Sequence, residues 1–261
     1  MNKSLPALVA ALCAMALPSI SVAQDSPLSF NASLTTDYRY RGISQTRLKP
    51  ALQGGADYAL PGEFYIGAWG STIKWIKDAG TISNLNTGNT NVEIDLYGGY
   101  KGEIKKDLSY DVGVLQYVYP GNKFKDLGAD NANTTELYGA LTFGPATIKY
   151  SHSLTSLFGV ANATQDSKGS GYFDLTANFD VGSGVTLTPH VGRQRVAGTG
   201  FSDLSYTDYA LTAAKDWAGF TFSGAIIGAS VKKINGVPVY SSPSGKDLGK
   251  TGLVVAAKKV F

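Results

Sequence analysis

The sequence predicts an all-β chain: a transmembrane, antiparallel, up-and-down β-barrel of about twelve strands following a cleaved signal peptide. Three observations predict it. Apolar and polar residues alternate with period two, the links between the alternating stretches are short and long by turns, and aromatic residues gather beside the short links. Composition agrees, since 261 residues hold 31 glycines, 15 tyrosines, 11 phenylalanines and only 16% charged residues. That mixture excludes a disordered tail, a coiled coil and a disulfide scaffold. The net charge of +3, from 23 basic and 20 acidic residues, is too even to mark a nucleic-acid partner. Nor does any internal stretch reach the roughly 18 consecutive apolar residues of a spanning helix.

Residues 1–23 read as a signal peptide. Lys3 supplies the positive start, Leu5 to Leu17 the apolar stretch, and Ser21-Val22-Ala23 the small-x-small cleavage site, so cleavage is expected after Ala23. Cys13, the only cysteine, follows Leu12, which is not the small residue a lipoprotein site requires. The expected mature chain, residues 24–261, is one domain without cysteine. An exported chain of this kind must draw its stability from a large hydrogen-bonded sheet, and the expected location is the cell outer membrane.

The first strand shows the pattern most clearly. From Phe30 to Arg41, one face holds Phe30, Ala32, Leu34, Thr36, Tyr38 and Tyr40, and the other Asn31, Ser33, Thr35, Asp37, Arg39 and Arg41. A tilted strand of about 9–11 residues crosses a bilayer, so this stretch reads as one crossing. Leu52, Gly54, Ala56, Tyr58 and Leu60 then oppose Gln53, Gly55 and Asp57, while Val92, Ile94, Leu96, Gly98 and Tyr100 oppose Glu93, Asp95 and Lys101. Further copies fall near 64–75, 108–119, 134–143, 146–154, 171–181, 185–194, 206–217, 220–230 and 251–261.

Short turns are expected at Pro61-Gly62-Glu63, Gly102 to Asp107, Gly144-Pro145, Gly182-Ser183-Gly184 and Ala218-Gly219. Longer polar links fall near 42–50, 76–90, 120–133, 155–170, 195–205 and 231–250. A barrel with one periplasmic and one outer rim sorts its links in this way, with both termini periplasmic and 231–250 exposed outside. Phe30, Tyr58, Phe64, Tyr100, Tyr110, Phe143, Phe179, Trp217, Phe220 and Phe261 lie beside short turns or chain ends and predict one aromatic girdle. Tyr38, Tyr40, Trp69, Trp75, Tyr119 and Tyr206 predict a second girdle near the long links. Leu253, Val255, Ala257, Lys259 and Phe261 share a phase that ends on an aromatic, similar to the terminal strand by which outer-membrane proteins engage the barrel-assembly machinery; Lys259 departs from the usual apolar residue and can snorkel.

The chain resembles the TorF-type putative porins, a proteobacterial family of poorly defined function. The likeness is carried by Ser33-Leu-Thr-Thr-Asp-Tyr-Arg-Tyr-Arg-Gly-Ile-Ser-Gln45, Pro50 to Tyr58, Phe64 to Ser71, Val92 to Tyr100 and Tyr110 to Val114, with Tyr-Arg-Gly-Ile-Ser-Gln the most specific part. The resemblance spans essentially the mature chain and implies an outer-membrane barrel and a pore. It implies no substrate and no catalytic residue.

Catalytic chemistry has few candidates. The two histidines are His152 and His190; Ser153 points away from His152, and the residues two along are Leu154 and Gly192, so no strand places histidine and serine on one face. No set of His, Asp or Glu has ligand spacing, so neither a metal nor another cofactor is expected. What the polar face can do is line water. The expected pore-lining residues are Asp37, Arg39, Arg41, Gln53, Asp57, Glu93, Asp95, Glu136, Lys149, Asp174 and Asp208, with Lys101, Asp111 and Asp180 on the same phase. A porin-like channel for passive diffusion of small hydrophilic solutes is the expected function, with weak cation preference from the surplus of carboxylates. An outer-membrane barrel enzyme acting on lipid, or a closed structural or adhesive barrel, is the alternative. Loop cations such as Arg47, Lys49, Lys168, Arg195, Lys232 and Lys233 are expected against lipid and lipopolysaccharide phosphates at the outer leaflet.

Overall fold

A computed structural model describes residues 26–261; the segment read as a signal peptide lies outside the described residues. The wall runs through β1 (Leu28–Thr35), β2 (Ala51–Ala59), β3 (Phe64–Thr72), β4 (Val92–Lys105), β5 (Leu108–Val118), β6 (Thr134–Phe143) and β7 (Ala146–Ser153). It continues through β8 (Gly171–Ala177, prolonged by Phe179–Asp180), β9 (Val185–Arg195), β10 (Tyr206–Trp217), β11 (Phe220–Ser230) and β12 (Gly252–Val260). Each strand pairs antiparallel with the next, and β1 returns to pair with β12 from Asn31↔Val260 to Thr35↔Ala256, so the sheet closes into a barrel of twelve strands. Phe30 and Phe261 exchange both backbone hydrogen bonds, at 3.3 and 2.9 Å, at the seam. Closure leaves no open edge, the condition for a sheet to lie in hydrocarbon.

The alternation sets the faces. Leu34, Leu52, Ile66, Leu141, Ile226 and Leu253 stand exposed outward, while Ser33, Ser71, Glu93, Asp95, Ser151 and Thr212 are buried inward. Exposed apolar surface on this scale is stable against lipid rather than water. Of the ten aromatics expected in the short-turn girdle, Phe30, Tyr58, Phe64, Phe143, Phe179, Trp217, Phe220 and Phe261 are exposed on the outer wall, while Tyr100 and Tyr110, in ring contact with each other, are only partly exposed. The turns are as compact as their residues demand. Ala218 and Gly219 both take positive φ, 51° and 78°, between paired Trp217 and Phe220, the two-residue turn whose twist matches that of the strands.

Three expectations are corrected. Strand β4 continues through Lys105 with a bulge between Glu103 and Lys105, so the link to β5 shrinks to residues 106–107. The link over 76–90 contains a helix, α1 (Trp75–Ser83), which buries Ile76 and Asp78. The third correction matters most: β1 ends at Thr35, and the chain then turns into the barrel, making a small hairpin of Arg39–Tyr40 with Ile43–Ser44. The alternation persists past Thr35 because this hairpin also has period two, but it is not part of the wall. The long-link girdle falls with it. Tyr38, Tyr40, Tyr119 and Tyr206 are buried, and Trp69 and Trp75 are partly buried against an interior cluster that includes Ile73, Ile76 and Tyr117. These rings make edge contacts with one another, such as Tyr40 with Tyr117 at 5.7 Å and Trp75 with Tyr119 at 5.0 Å, instead of meeting lipid.

Candidate functional site

The lumen is organised by the inward hairpin. Its root is the Asp37 carboxylate, which accepts from Arg39 Nε at 2.5 Å, Ser44 Oγ at 2.6 Å and Thr46 Oγ1 at 3.0 Å. Arg39 also donates through Nη1 to the carbonyl oxygens of Gly42, Leu248 and Lys250, at 2.9, 3.0 and 3.2 Å. It therefore fastens the first long link to the last. At the tip, Arg41 and Gly42 take φ of 45° and 80°, which reverses the chain in two residues. Glycine is required at 42 for a second reason, because a β-carbon there would stand 2.7 Å from Asp208 Cβ and 2.9 Å from the Gly228 carbonyl oxygen. The tip is thus pressed against β10 and β11.

From that tip Arg41 reaches β6 and β9. Its Nη2 donates to Glu136 Oε2 at 2.7 Å and its Nη1 to Gln194 Oε1 at 2.5 Å. The guanidinium lies 4.1 Å from the Tyr172 ring centroid on β8 and 4.7 Å from that of Tyr40. Both charged side chains are almost fully buried, 1% and 3% exposed. A buried pair of this kind adds little net stability, since desolvation offsets the attraction, but losing one partner strands the other; its work is to fix position. On the far side, Tyr38 Oη donates to Glu93 Oε1 at 2.5 Å and Tyr119 Oη to Glu93 Oε2 at 2.7 Å. The hairpin consequently touches β4, β6, β8, β9, β10 and β11 and lies across the lumen near its long-link end.

Below it is a tier of tyrosines and ions. Tyr97 Oη donates to Asp57 at 2.5 Å, and Tyr65 Oη donates to Asp111 at 2.6 Å while touching the Tyr138 hydroxyl. Lys149 and Lys101 stand over the Tyr138 and Tyr65 rings at 4.0 and 5.5 Å and form no ion pair among the described residues. Gln53 bridges Ser33 and Ser71 at 3.2 and 3.3 Å. Asp208 accepts from His190 Nε2 at 2.8 Å and from Tyr172 Oη at 3.0 Å. Asp174 approaches His190 Nδ1 at 3.3 Å, too poorly aligned for a hydrogen bond. Asp95, buried near Glu93 and Glu136, has no hydrogen-bond partner for Oδ1 among the described residues.

Of the eleven residues expected on the lumenal face, Gln53, Asp57, Glu93, Asp95, Glu136, Lys149, Asp174 and Asp208 take the inward phase of wall strands, whereas Asp37, Arg39 and Arg41 lie inside the barrel on the first-link hairpin and not on the wall. The structure brings together Asp37 with Arg39, Arg41 with Glu136, and Asp174 with Asp208 through His190, but gives Lys149 no carboxylate. The sequence reading missed Tyr65, Tyr97, Tyr117, Tyr138 and Tyr172. A signal existed for three of them: Tyr65 faces Gly99, Tyr97 faces Gly67 and Tyr138 faces Gly113 across neighbouring strands, and each ring lies over the glycine where a β-carbon would collide. Inward glycines opposite inward tyrosines mark flat rings along a wall. The two histidines separate as their phases require. His152 faces outward beside Tyr150, Ser153 is buried inward, and His190 has carboxylates and Tyr172 as partners rather than a serine.

Solved structures share this architecture. The KdgM porin superposes with a TM-score of 0.53 over 89% of this chain and 99% of its own at 6% identity. The KdgM porin in complex with disordered oligogalacturonate gives 0.52 over 90% and 98%, also at 6% identity. At such identity the likeness speaks for the fold. No curated protein matches the sequence. A family model described as "Bacterial protein of unknown function (Gcw_chp)" matches residues 22–261, nearly the whole chain, and the chain belongs to that family.

Proposed function

We propose that this protein is an outer-membrane channel of porin type through which small hydrophilic solutes diffuse, with the first-link hairpin as its constriction. One observation carries the reading: a charged side chain, Arg41, is held across the interior of a twelve-stranded barrel between Glu136 and Gln194. Side chains alone fill a barrel of about eight strands; a wider one needs an inserted element to narrow it, and a polar insert narrows it for water-soluble passage. The TorF-type resemblance points the same way, and its most specific stretch is this hairpin. Export after cleavage at Ala23, insertion through Phe261 and lipopolysaccharide around the outer rim complete the proposal. A catalytic role has little to stand on, since the outward His152 has no serine on its own face.

A closed structural barrel is the second reading, favoured by how fully Arg39 and Arg41 are bonded. Planar-bilayer recording of the refolded mature protein decides between them, because a closed barrel gives no conductance. If the barrel conducts, the carboxylate surplus predicts weak cation preference that fades with salt, as the Debye length is about 10 Å at 0.1 M. Replacing Glu93 and Asp95 together by their amides is expected to move the reversal potential toward anions. An unmoved potential removes both residues from the conducting path.

A further inference from the structure

We infer that the outer wall over β7–β9 carries a binding site for a phosphorylated outer-leaflet glycolipid, the lipid A part of lipopolysaccharide. The inference rests on the proposed membrane orientation, with long links outside, and not on conduction. Arg193 and Arg195 occupy the outward phase of β9 at its long-link end and are both exposed. Through the registers Gly171↔His152 and Gly171↔Arg195, His152 on β7 and Arg195 on β9 stand in one row with only a glycine between them. Two strand spacings separate them, roughly 10 Å, and Arg193 lies about 7 Å below Arg195. Tyr150 lays its hydroxyl over Gly171, where a β-carbon would collide, and Arg193 Nη1 is steadied by Thr207 Oγ1 at 3.1 Å. Neither arginine forms an ion pair among the described residues.

The upper outward positions of the other wall strands are different. At the same level the outward positions are Leu34, Leu52, Thr72, Val92, Gln116, Thr135, Ser230 and Leu253, none of them basic. Among the described residues, cationic side chains within the upper outward strands are therefore confined to one sector, where Arg193 pairs across from the exposed apolar Phe173 and stands above Leu175 and Val191. Lys49, Lys74, Lys232, Lys233 and Lys250 are exposed in the links beyond the wall strands. Paired guanidiniums bind phosphate through forked donors, and apolar rows beneath accept acyl chains, which is the chemistry of a phosphorylated lipid lying against the wall. An interior ion or free solute has no use for a site open to lipid.

The test measures lipid retained by the refolded full barrel after detergent washing, by native mass spectrometry. Four probes are compared: phosphorylated lipid A, the same lipid A dephosphorylated, phosphatidylglycerol vesicles, and inorganic phosphate as competitor. The expected result is retention of phosphorylated lipid A that falls about thirtyfold in Arg193→Gln/Arg195→Gln, taking each surface cation at its usual strength against anionic lipid. Dephosphorylation should lower retention as much, and Lys215→Gln/Lys259→Gln, at the opposite rim, should leave it unchanged. Heat-modifiable gel mobility confirms that each variant is a folded barrel, and Arg195→Gln alone, expected to lose about fivefold, serves if the double variant does not fold. Unchanged retention in the folded variant, equal retention of dephosphorylated lipid, equal retention of phosphatidylglycerol, or displacement by millimolar inorganic phosphate would each overturn the inference. A barrel that retains lipid A but does not conduct overturns the channel reading alone. A conducting barrel without phosphate-dependent retention overturns this one alone.

Discussion

At the short-turn end of the barrel Trp217 and Phe143 are 68% and 64% exposed on the outer wall, whereas at the long-link end Tyr38, Tyr40 and Tyr119 are 5%, 7% and 2% exposed inside it. The residue types are alike and their spacing along the chain is alike. What separates them is the length of the adjoining link. A two-residue turn holds both flanking residues in the wall, so their rings can only face lipid or lumen according to phase. A link of fifteen residues lets the chain leave the wall, and then the burial of aromatic area against other aromatics wins over the interface. Alternation thus specifies which residues share a face, but membership of the wall is decided by hydrogen-bonded neighbours.

The contrast breaks most severely at the seam. Deleting Phe261 removes the terminal ring and both backbone bonds to Phe30, at 3.3 and 2.9 Å. The yield of heat-modifiable barrel is expected to collapse, while Lys259→Ala, which removes only a side chain near the Phe220 and Phe261 rings, should assemble close to normally. Equal yields would show that the terminal aromatic is not an assembly determinant.

At the other end the largest effect belongs to Arg41. Arg41→Ala leaves Glu136 buried without its cation and is expected to cost about 3–5 kcal/mol in denaturant unfolding, whereas Arg41→Met with Glu136→Leu should recover much of that. A cost below about 1 kcal/mol for the single variant would mean that the hairpin is not held by this pair.

These two ends also differ in how legible they were. The outward phases of Leu52, Phe143 and Leu253 were readable because lipid contact imposes period two on every wall strand. The hairpin was not, since Asp37 to Arg41 continues the phase of β1 without interruption, and the only local sign of departure is Arg41-Gly42. Its partners are remote in sequence: Tyr38 bonds Glu93, Arg41 bonds Gln194, and Arg39 bonds the carbonyl of Leu248. Inward charges could be assigned to the lumen from phase alone. Which of them pair could not, because pairing depends on how far the hairpin reaches across the barrel.

Glycine sharpens the comparison at smaller cost. Gly42→Ala meets both a positive φ of 80° and the close approach to Asp208 and Gly228, so about 2–4 kcal/mol is expected. Gly219→Ala meets a φ of 78° but has nothing within 4 Å, and about 1 kcal/mol is expected. If the two cost the same, the hairpin tip is not pressed on the wall. A Gly42 variant should also alter conductance, and the Gly219 variant should not.

The smallest effect is a tie between two long links. Asp130 Oδ2 accepts from Ser156 Oγ at 2.6 Å and Oδ1 from the Asn131 amide at 2.8 Å. Those bonds, the serine's foremost, hold the Asp130 carboxyl below its ordinary range. A group depressed in the folded state contributes stability above its unfolded pKa and loses it as pH falls through the folded one, so the tie is complete at neutral pH and weakens only below about 4. Because the carboxylate is well solvated, its worth is under about 1 kcal/mol and local rather than global. Amide exchange in residues 155–160 should therefore quicken in acid in the wild type, while Asp130→Asn should exchange at a rate whose pH dependence is that of the intrinsic chemistry alone. Short-turn amides such as those of 218–219 should follow the intrinsic profile in both proteins. An Asp130→Asn variant that still shows the extra acid-dependent opening would place its origin in another carboxylate of the long-link end.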